Sequence, residues 1–446
     1  MNNKPNPNSF VLAFGLDPDQ FEPYYATPTV EVVMDLFHTT TYELTQSADQ
    51  RECPLCGETE RVYIKDRYTT EREISTAQFQ SVRLVIHMVR FTCLECCKTF
   101  TIGLKGVDPY GKITEQTKHS ILVDCCSLMS FRQIARAHHV SPSLPIKLFD
   151  EHFRSVPPIP LGRILCVDEV CMRTEQRKNA YAVILSDYET REICDIFANR
   201  QLPYLRPCFA AIREEDRRKV KVFVTDMYEG YASIRRQYFP RAVHCVDLFH
   251  VVKLMTTAVG KIRVHEMNQM EASAEKSFMK QHWRAFLCSA KKLKEKNKVC
   301  RSAKFCVEET HFDMIIRCCD QSPLLWDAWS ILQELLTYNS YPTFTEAAAF
   351  VDRIVAKLEA TQSALLRAVA RTYRHWRNEI ANGMARNQTL GKRVSNAVAE
   401  GNNNKLKSLK KLSNGLTNFE RFRKRALLIF SYFPSLGTQI FQYKWR

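Results

Sequence analysis

The period of the apolar positions changes repeatedly along the chain, and each change predicts a different kind of element. Residues 82–93, VRLVIHMVRFTC, are rich in β-branched and aromatic side chains and poor in helix caps, which predicts strand. From about residue 115 to 153 the spacing becomes helical in TEQTKHSILVDCCSLM, SFRQIARAHH and LPIKLFDEHF, with a break at VSPS, so three short helices are expected. Ser130 and Gln133 stand at capping-box spacing at the start of the second. The proline-rich VPPIPLG follows as a connector. Beyond it RILCVDEV, AYAVILSDY, REICDIFAN, KVKVFVTDM and RAVHCVDLF read as strands, with helix-like text between the later ones, which predicts an α/β core. From about 250 to 380 the period is almost wholly helical, and a basic helical stretch covers 391–430.

These changes predict a multidomain α/β chain: a leader over 1–50, a β-rich module over 51–102, three helices over 113–155, strands over 163–255, helices over 256–385 and a closing segment over 386–446. Neither a solenoid repeat nor a long low-complexity tract intervenes. A length of 446 residues fits two to four domains, and 45% apolar with 25% charged residues excludes wholesale disorder. No stretch approaches the ~20 apolar residues of a membrane span, and the first residues lack a secretory pattern, so no membrane is expected and the compartment expected is the cytoplasm. The 17 cysteines often sit in apolar runs such as RILCVDE, as reduced core residues do.

Charge sharpens the picture. The net charge is +16, which favours a polyanionic partner such as nucleic acid. It is unevenly spread: residues 1–50 carry seven acids against Lys4, and residues 401–446 carry ten Lys or Arg against Glu420.

Candidate chemistry falls at four places. Cys53 and Cys56, then Cys93 and Cys96, form two C-x2-C pairs, the thiolate set of a structural Zn2+; Cys97 leaves open which thiols serve. The three helices suit a helix-turn-helix whose last helix, with Ser143 and Lys147, lies in a DNA groove, although a plain packing unit has the same pattern. Asp168, Asp226 and Asp247 each close an apolar run, where α/β sheets deliver functional groups and where helix caps also occur. Glu400 shares a helical stripe with Asn404, Lys407 and Lys411, a lone acid among cations that a solvated ion pair also explains. Together these acids suit two-metal phosphodiester cleavage, because hard divalent cations take oxygen ligands.

The segments CPLCG, CLECCKTF, VDE with the following AYAVILSDYETREI, VTDMYEGY, VDLFHVVK and AEGNNNKLKSLKKLSNGLTNFERFRKRALL resemble those of the ISL3 family of bacterial insertion-sequence transposases, over residues 50 to 430. The resemblance implies a ribonuclease H-like catalytic core begun over 163–255, interrupted by an all-helical insertion over 256–385 and completed over 386–446. It implies that Asp168, Asp226 and Glu400 form a triad binding Mg2+ or Mn2+, with Asp247 and His250 as accessory residues. His250 in LFHVV also reads as a core histidine. Two positions depart from the family pattern: Cys97 stands where glycine is common, and SNG replaces an aromatic-glycine pair at 413–415.

The expectation is a transposase that recognises terminal inverted repeats through its zinc and helix-turn-helix modules, cleaves each end and transfers the freed 3′-hydroxyl into target DNA. It would work as a homodimer or higher oligomer on double-stranded DNA, at the bacterial nucleoid. Lys405, Lys407, Lys410, Lys411, Arg421, Arg423, Lys424 and Arg425 are expected to hold DNA phosphates. The rival readings are a transposase-derived regulator without catalysis and a nuclease that cleaves without joining.

Overall fold

The computed structural model describes all residues other than 1–6, 34–36, 50, 76–79, 109–111, 173–180, 339–340, 388–390, 392, 414–417 and 434–446. The chain forms two units, residues 1–157 with 408–446 and residues 158–407.

The first unit is built on strands β1 (Thr29–Val33), β2 (Phe37–Thr45), β3 (Val62–Ser75), β4 (Gln80–Cys93) and β5 (Thr99–Thr101), in the order β1-β2-β4-β3 with β5 on β4. β3 and β4 make a long antiparallel hairpin from Val62↔Cys93 to Ser75↔Ser81. Its register shifts between Ile64 and Asp66, where β3 carries one extra residue. Side chains alternate faces along a strand, so β4 serves two cores. Val82, Leu84, Ile86 and Met88 pack on one face with Val11, Phe14 and Leu44, whereas Val89, Phe91 and Cys93 pack on the other with Cys53 and Val62.

The acidic leader is part of this sheet. β2 pairs in parallel with β4 from His38↔Gln80 to Thr45↔His87, and Phe10 stacks on Tyr42 at 5.0 Å. Its apolar residues are divided among short 3-10 turns, the edge strand β1 and the inner strand β2, so no single period runs through them in the sequence.

The three predicted helices form as Glu115–Cys125, Phe131–Ala137 and Ser143–His152 around buried Ile121, Cys125, Ile134 and Phe149. The capping box is complete: the Gln133 backbone N–H donates to Ser130 Oγ at 3.1 Å, and the Ser130 N–H donates to Gln133 Oε1 at 2.8 Å.

The basic helix Phe419–Leu427 packs within this unit, which corrects the expectation for four of its cations. Arg425 is 2% exposed; its Nε donates to the Cys125 carbonyl at 3.1 Å and its Nη2 to those of Ser127 and Met129 at 3.0 and 2.6 Å. Lys424 is buried and donates to the Phe153 carbonyl at 2.9 Å. Arg421 pairs with Asp150 at 2.5 Å, and Arg423 donates to the Val156 carbonyl at 3.2 Å. These four are spent on the protein itself. The physical reason is that the chain after two of the short helices leaves carbonyls without backbone donors, at Cys125, Ser127 and Met129 and at Phe153 and Val156, and Arg425, Lys424 and Arg423 satisfy them while Arg421 pairs with the Asp150 carboxylate.

The second unit holds strands β6 (Ile164–Cys171), β7 (Tyr181–Asp187), β8 (Ile193–Phe197), β9 (Val222–Thr225) and β10 (Val243–Val246) in the order β10-β9-β6-β7-β8. β6, β7 and β8 form an antiparallel meander, and β9 and β10 run parallel to β6 and to each other. One face packs Leu165, Val167, Leu185 and Phe223 against Leu205, Phe209, Tyr231 and Ile234. The other packs Ile164, Cys166, Val222, Val224 and Cys245 against Val394 and Ala399.

Between the last strand and residue 385, helices including Leu248–Gln269, Pro323–Leu336, Phe344–Ala360 and Ala364–His375 share a core of Met255, Val259, Leu332, Phe350 and Leu358. The buried Tyr373 hydroxyl donates to the Val251 carbonyl at 2.6 Å. A short ribbon, β11 (Val299–Ser302) with β12 (Val307–Thr310), interrupts what the sequence pattern reads as wholly helical.

Candidate active site and metal centre

Strand parity brings the three aspartates together. β6, β9 and β10 are parallel and in register, with Cys166 opposite Val224 and Val224 opposite Cys245. Two residues further along each strand direction come Asp168, Asp226 and Asp247, on the same pleat face as that apolar row and about 5 Å apart from strand to strand. Asp168 lies inside β6, not at its end as the closing of its apolar run suggests, while Asp226 and Asp247 directly follow β9 and β10; apolar-x-Asp text on three adjacent strands thus becomes a row of carboxyls.

Each has a distinct setting. Asp168 accepts from the Glu169 N–H at 2.7 Å and, through Oδ2, from Asn403 Nδ2 at 2.8 Å. Burial raises its pKa. Asp226 is pushed further, to about 6, by burial and then by the Glu169 charge. Its Oδ1 is buried with no hydrogen-bond donor. A buried carboxylate oxygen left without a donor is costly, and a divalent cation is the partner that suits it. Asp247 is a helix cap: its side chain accepts from the Phe249 N–H at 3.4 Å at the start of Leu248–Gln269, and burial raises its pKa too. The charge of half-buried His250 acts on all three aspartates.

Glu400 lies in the first turn of the helix Ala397–Leu412, exposed, close enough for its charge to act on Asp247. The stripe of Glu400, Asn404, Lys407 and Lys411 faces solvent, while Ala399, Asn402, Asn403, Leu406 and Leu409 are buried. Among the described residues, only the cysteine set has three or more ligating atoms all within 4.8 Å, so the acids are neighbours rather than a closed cage. Like charges with no cation between them hold apart.

Several contributing residues carried no signal that the sequence patterns above pick up. Asn403 orients Asp168, and Asn402 donates to Ser186 Oγ at 3.0 Å, tying the helix to β7. Three successive asparagines inside a helix were the available clue, since asparagine is a poor helix former. Glu169 accepts from Arg200 at 2.8 Å and from the Tyr231 hydroxyl at 3.1 Å.

In the first unit, Cys53 Sγ lies 3.7 Å from Cys96 Sγ, and Cys56 Sγ 3.6 Å from Cys93 Sγ. A tetrahedral shell with bonds of about 2.3 Å has edges of ~3.8 Å, so the set fits a structural zinc. Burial pushes the Cys53 thiol up, but backbone N–H donors from Leu55 and Cys56 and hydrogen bonds with Cys56 and Cys96 bring its pKa down to about 7, while the same contacts help raise Cys56 and Cys96, so without a metal one thiol of the set ionises at its neighbours' expense. Cys97 lies outside the cluster, exposed, with its thiol 3.7 Å from the Leu94 carbonyl.

The two knuckles share a backbone form. Gly57 has φ 72°, and Cys97, at the equivalent position of the second, has φ 53°, a left-handed conformation that glycine adopts without penalty. Cys97→Gly is therefore expected to stabilise the protein by roughly 1 kcal/mol and to leave zinc content at one per chain. Thermal unfolding together with metal analysis checks both, and loss of zinc would put Cys97 in the ligand set.

Of the remaining predicted contacts, Ser143 and Lys147 are exposed on the third short helix, as are Lys405, Lys407 and Lys411 on the Glu400 helix, with Lys410 half-buried. Among the described residues no helix is long and apolar enough to cross a membrane.

No curated protein matches the chain. A family model of ISL3-type transposases, described as transposase, matches residues 165–426. That span runs from β6, through the aspartate row and the helical layer, to the helix bearing Arg425, and takes in more than half of the protein: the chain belongs to the ISL3 transposase family.

Proposed function

We propose that the protein cleaves the ends of its mobile element and joins the freed 3′-hydroxyl to target DNA, using Asp168, Asp226 and Glu400 as the divalent-metal triad of a ribonuclease H-like core. The observation that carries this is the aspartate row with its donor-less Asp226 Oδ1. The sheet order, three antiparallel strands extended by two parallel ones, supports the core assignment, and the family match supports DNA as the substrate.

Mg2+ or Mn2+, when bound, activates an attacking oxygen and neutralises charge on the leaving one. The chain's own part is positional. Asn403 fixes one Asp168 oxygen, and Asp247 anchors the helix Leu248–Gln269 while keeping a third carboxyl beside the pair. Water and the 3′-hydroxyl then serve as alternate nucleophiles at one site, with no covalent protein intermediate. End recognition falls to the zinc module and to a helix-turn-helix presenting Ser143 and Lys147. Lys405, Lys407, Lys410 and Lys411 contact phosphates, and two ends require at least a dimer on DNA.

The test is incubation of the protein with labelled element-end duplex and Mg2+ or Mn2+. New 3′ ends and joined products are expected. Specific end binding without cleavage, where a control transposase works, would favour a non-catalytic regulator, and cleavage without joining a nuclease.

A further inference from the structure

A cleft of about 700 Å3 opens between the turn joining β7 to β8 and the start of the Glu400 helix; Arg191, Ser395, Gly401, Asn402 and Lys405 are among its lining. Two of these residues are poorly suited to their own backbones. Arg191 has φ 65°, a left-handed conformation in which an arginine is strained and glycine is not. Gly401 sits inside a helix, where glycine is among the least favourable residues, and a Cβ built there would meet nothing within 4 Å. Packing therefore does not account for the glycine. The missing side chain leaves the helix backbone open to close approach from the cleft.

The turn is held in place. The Arg191 N–H donates to the Asp187 carbonyl at 3.0 Å, the N–H groups of Glu189 and Thr190 donate to Asp187 Oδ1 at 2.6 and 3.0 Å, and Asn402 Nδ2 donates to the Arg191 carbonyl at 3.2 Å. The carboxylate in the lining, Glu189, is bound by Arg163 at 2.5 Å. Desolvation, and then the charge of Arg191, lower the pKa of Lys405, so the two cations bear on each other across the cleft. An anion seated in a cleft lined by both cations is held by charge-assisted hydrogen bonds from each.

We infer that this cleft seats a phosphate of a nucleic-acid strand, gripped by Arg191 and Lys405 and open to it because residue 401 is glycine. The inference rests on the proposed function for the choice of a strand over a free anion: the family match supports DNA as the substrate, and one helix carries both Glu400 and the cleft residues Gly401 and Lys405. Arginine retained where glycine is easier, and glycine retained where alanine is easier, mark a site kept for a ligand at some expense to the fold.

The test uses the full chain in EDTA, with fluorescence anisotropy of a labelled duplex measured against salt. Arg191→Gly and Gly401→Ala are each expected to raise Tm by a few degrees while weakening DNA binding. Arg191→Gly and Lys405→Ala should each lower the magnitude of the salt slope by up to about 0.7–0.9, and the double variant by no more, because the two cations hold one phosphate together. A lower Tm in both Arg191→Gly and Gly401→Ala, or unchanged slopes, would overturn the inference. So would a thermal shift produced by inorganic phosphate alone and lost in Arg191→Gly, with duplex binding unchanged, which assigns the cleft to a free anion. Because EDTA stops catalysis, altered slopes in a protein that never cleaves would sink the proposed function and leave the phosphate seat standing. End cleavage with unaltered slopes would do the reverse.

Discussion

Asp226→Asn is expected to reduce end cleavage and joining by at least about 10³-fold, while leaving the metal-free protein at least as stable as wild type. The first effect follows from removing the charge of the carboxyl whose Oδ1 lacks a donor, since a neutral amide is a poor ligand for a hard divalent cation. The second follows from burial. With the pKa of Asp226 raised from 3.8 to about 6, the ionised side chain disfavours the folded state. That penalty is complete above pH 6, shrinks as pH falls and is absent below the unfolded value of 3.8; at its fullest it is on the order of 3 kcal/mol. In EDTA the variant should therefore melt higher than wild type at pH 8, with the difference closing toward pH 4. Saturating Mn2+ should raise the Tm of wild type and not that of the variant. A variant that melted lower at every pH, or that still cleaved, would remove Asp226 from the metal site.

Arg425→Met should cost about 2–3 kcal/mol of stability, a large share of the margin of an ordinary domain, the loss of carbonyl donors being partly offset by removal of a desolvated cation whose Nη1 has no acceptor. Methionine fills much of the volume, but it leaves the carbonyls of Cys125, Ser127 and Met129 without the donors that Arg425 supplies, and it removes a guanidinium lying 4.6 Å over the Phe131 ring. Lys411→Ala, on an exposed side chain of the neighbouring basic run, should change stability by no more than about 0.5 kcal/mol. Urea unfolding of the two variants separates the roles. An Arg425→Met protein of normal stability but with weakened DNA binding would return Arg425 to the phosphate contacts.

What the sequence reveals here is mostly local. The knuckles, the capping box at Ser130 and the strand ends at Asp226 and Asp247 are legible because period and spacing within a few residues determine them, whereas β6 runs three residues past Asp168 because Glu169, Val170 and Cys171 still pair with β7. Parity along parallel strands even implies that the three aspartates share a face, once the strands are known to be adjacent. The rest depends on partners far away in the chain. Nothing around Asn403 says that it will hold Asp168, 235 residues earlier. Nothing in FERFRKRAL distinguishes the buried Arg425 from a solvated cation, because its partners are backbone carbonyls, which have no residue type to read. The Glu400 helix shows both limits: its helical spacing is plain, but which of its faces is buried is settled by Ala399, Asn402 and Leu406 rather than by the charged stripe.

The first unit, residues 1–157 with 408–446, is interrupted by the whole of the second, and this carries a consequence for the order in which the protein is made. The carbonyls of Cys125, Ser127 and Met129 leave the ribosome about 300 residues ahead of the arginine that satisfies them. At 5–20 residues per second that is a wait of roughly 15 to 60 seconds. Through that interval the three short helices lack their closing element, so the unit proposed to recognise element ends matures only after the whole of the second unit has been made. A nascent chain thus carries the second unit, with its aspartates, before the first is complete, and a chain broken off before residue 419 never supplies Arg425 at all.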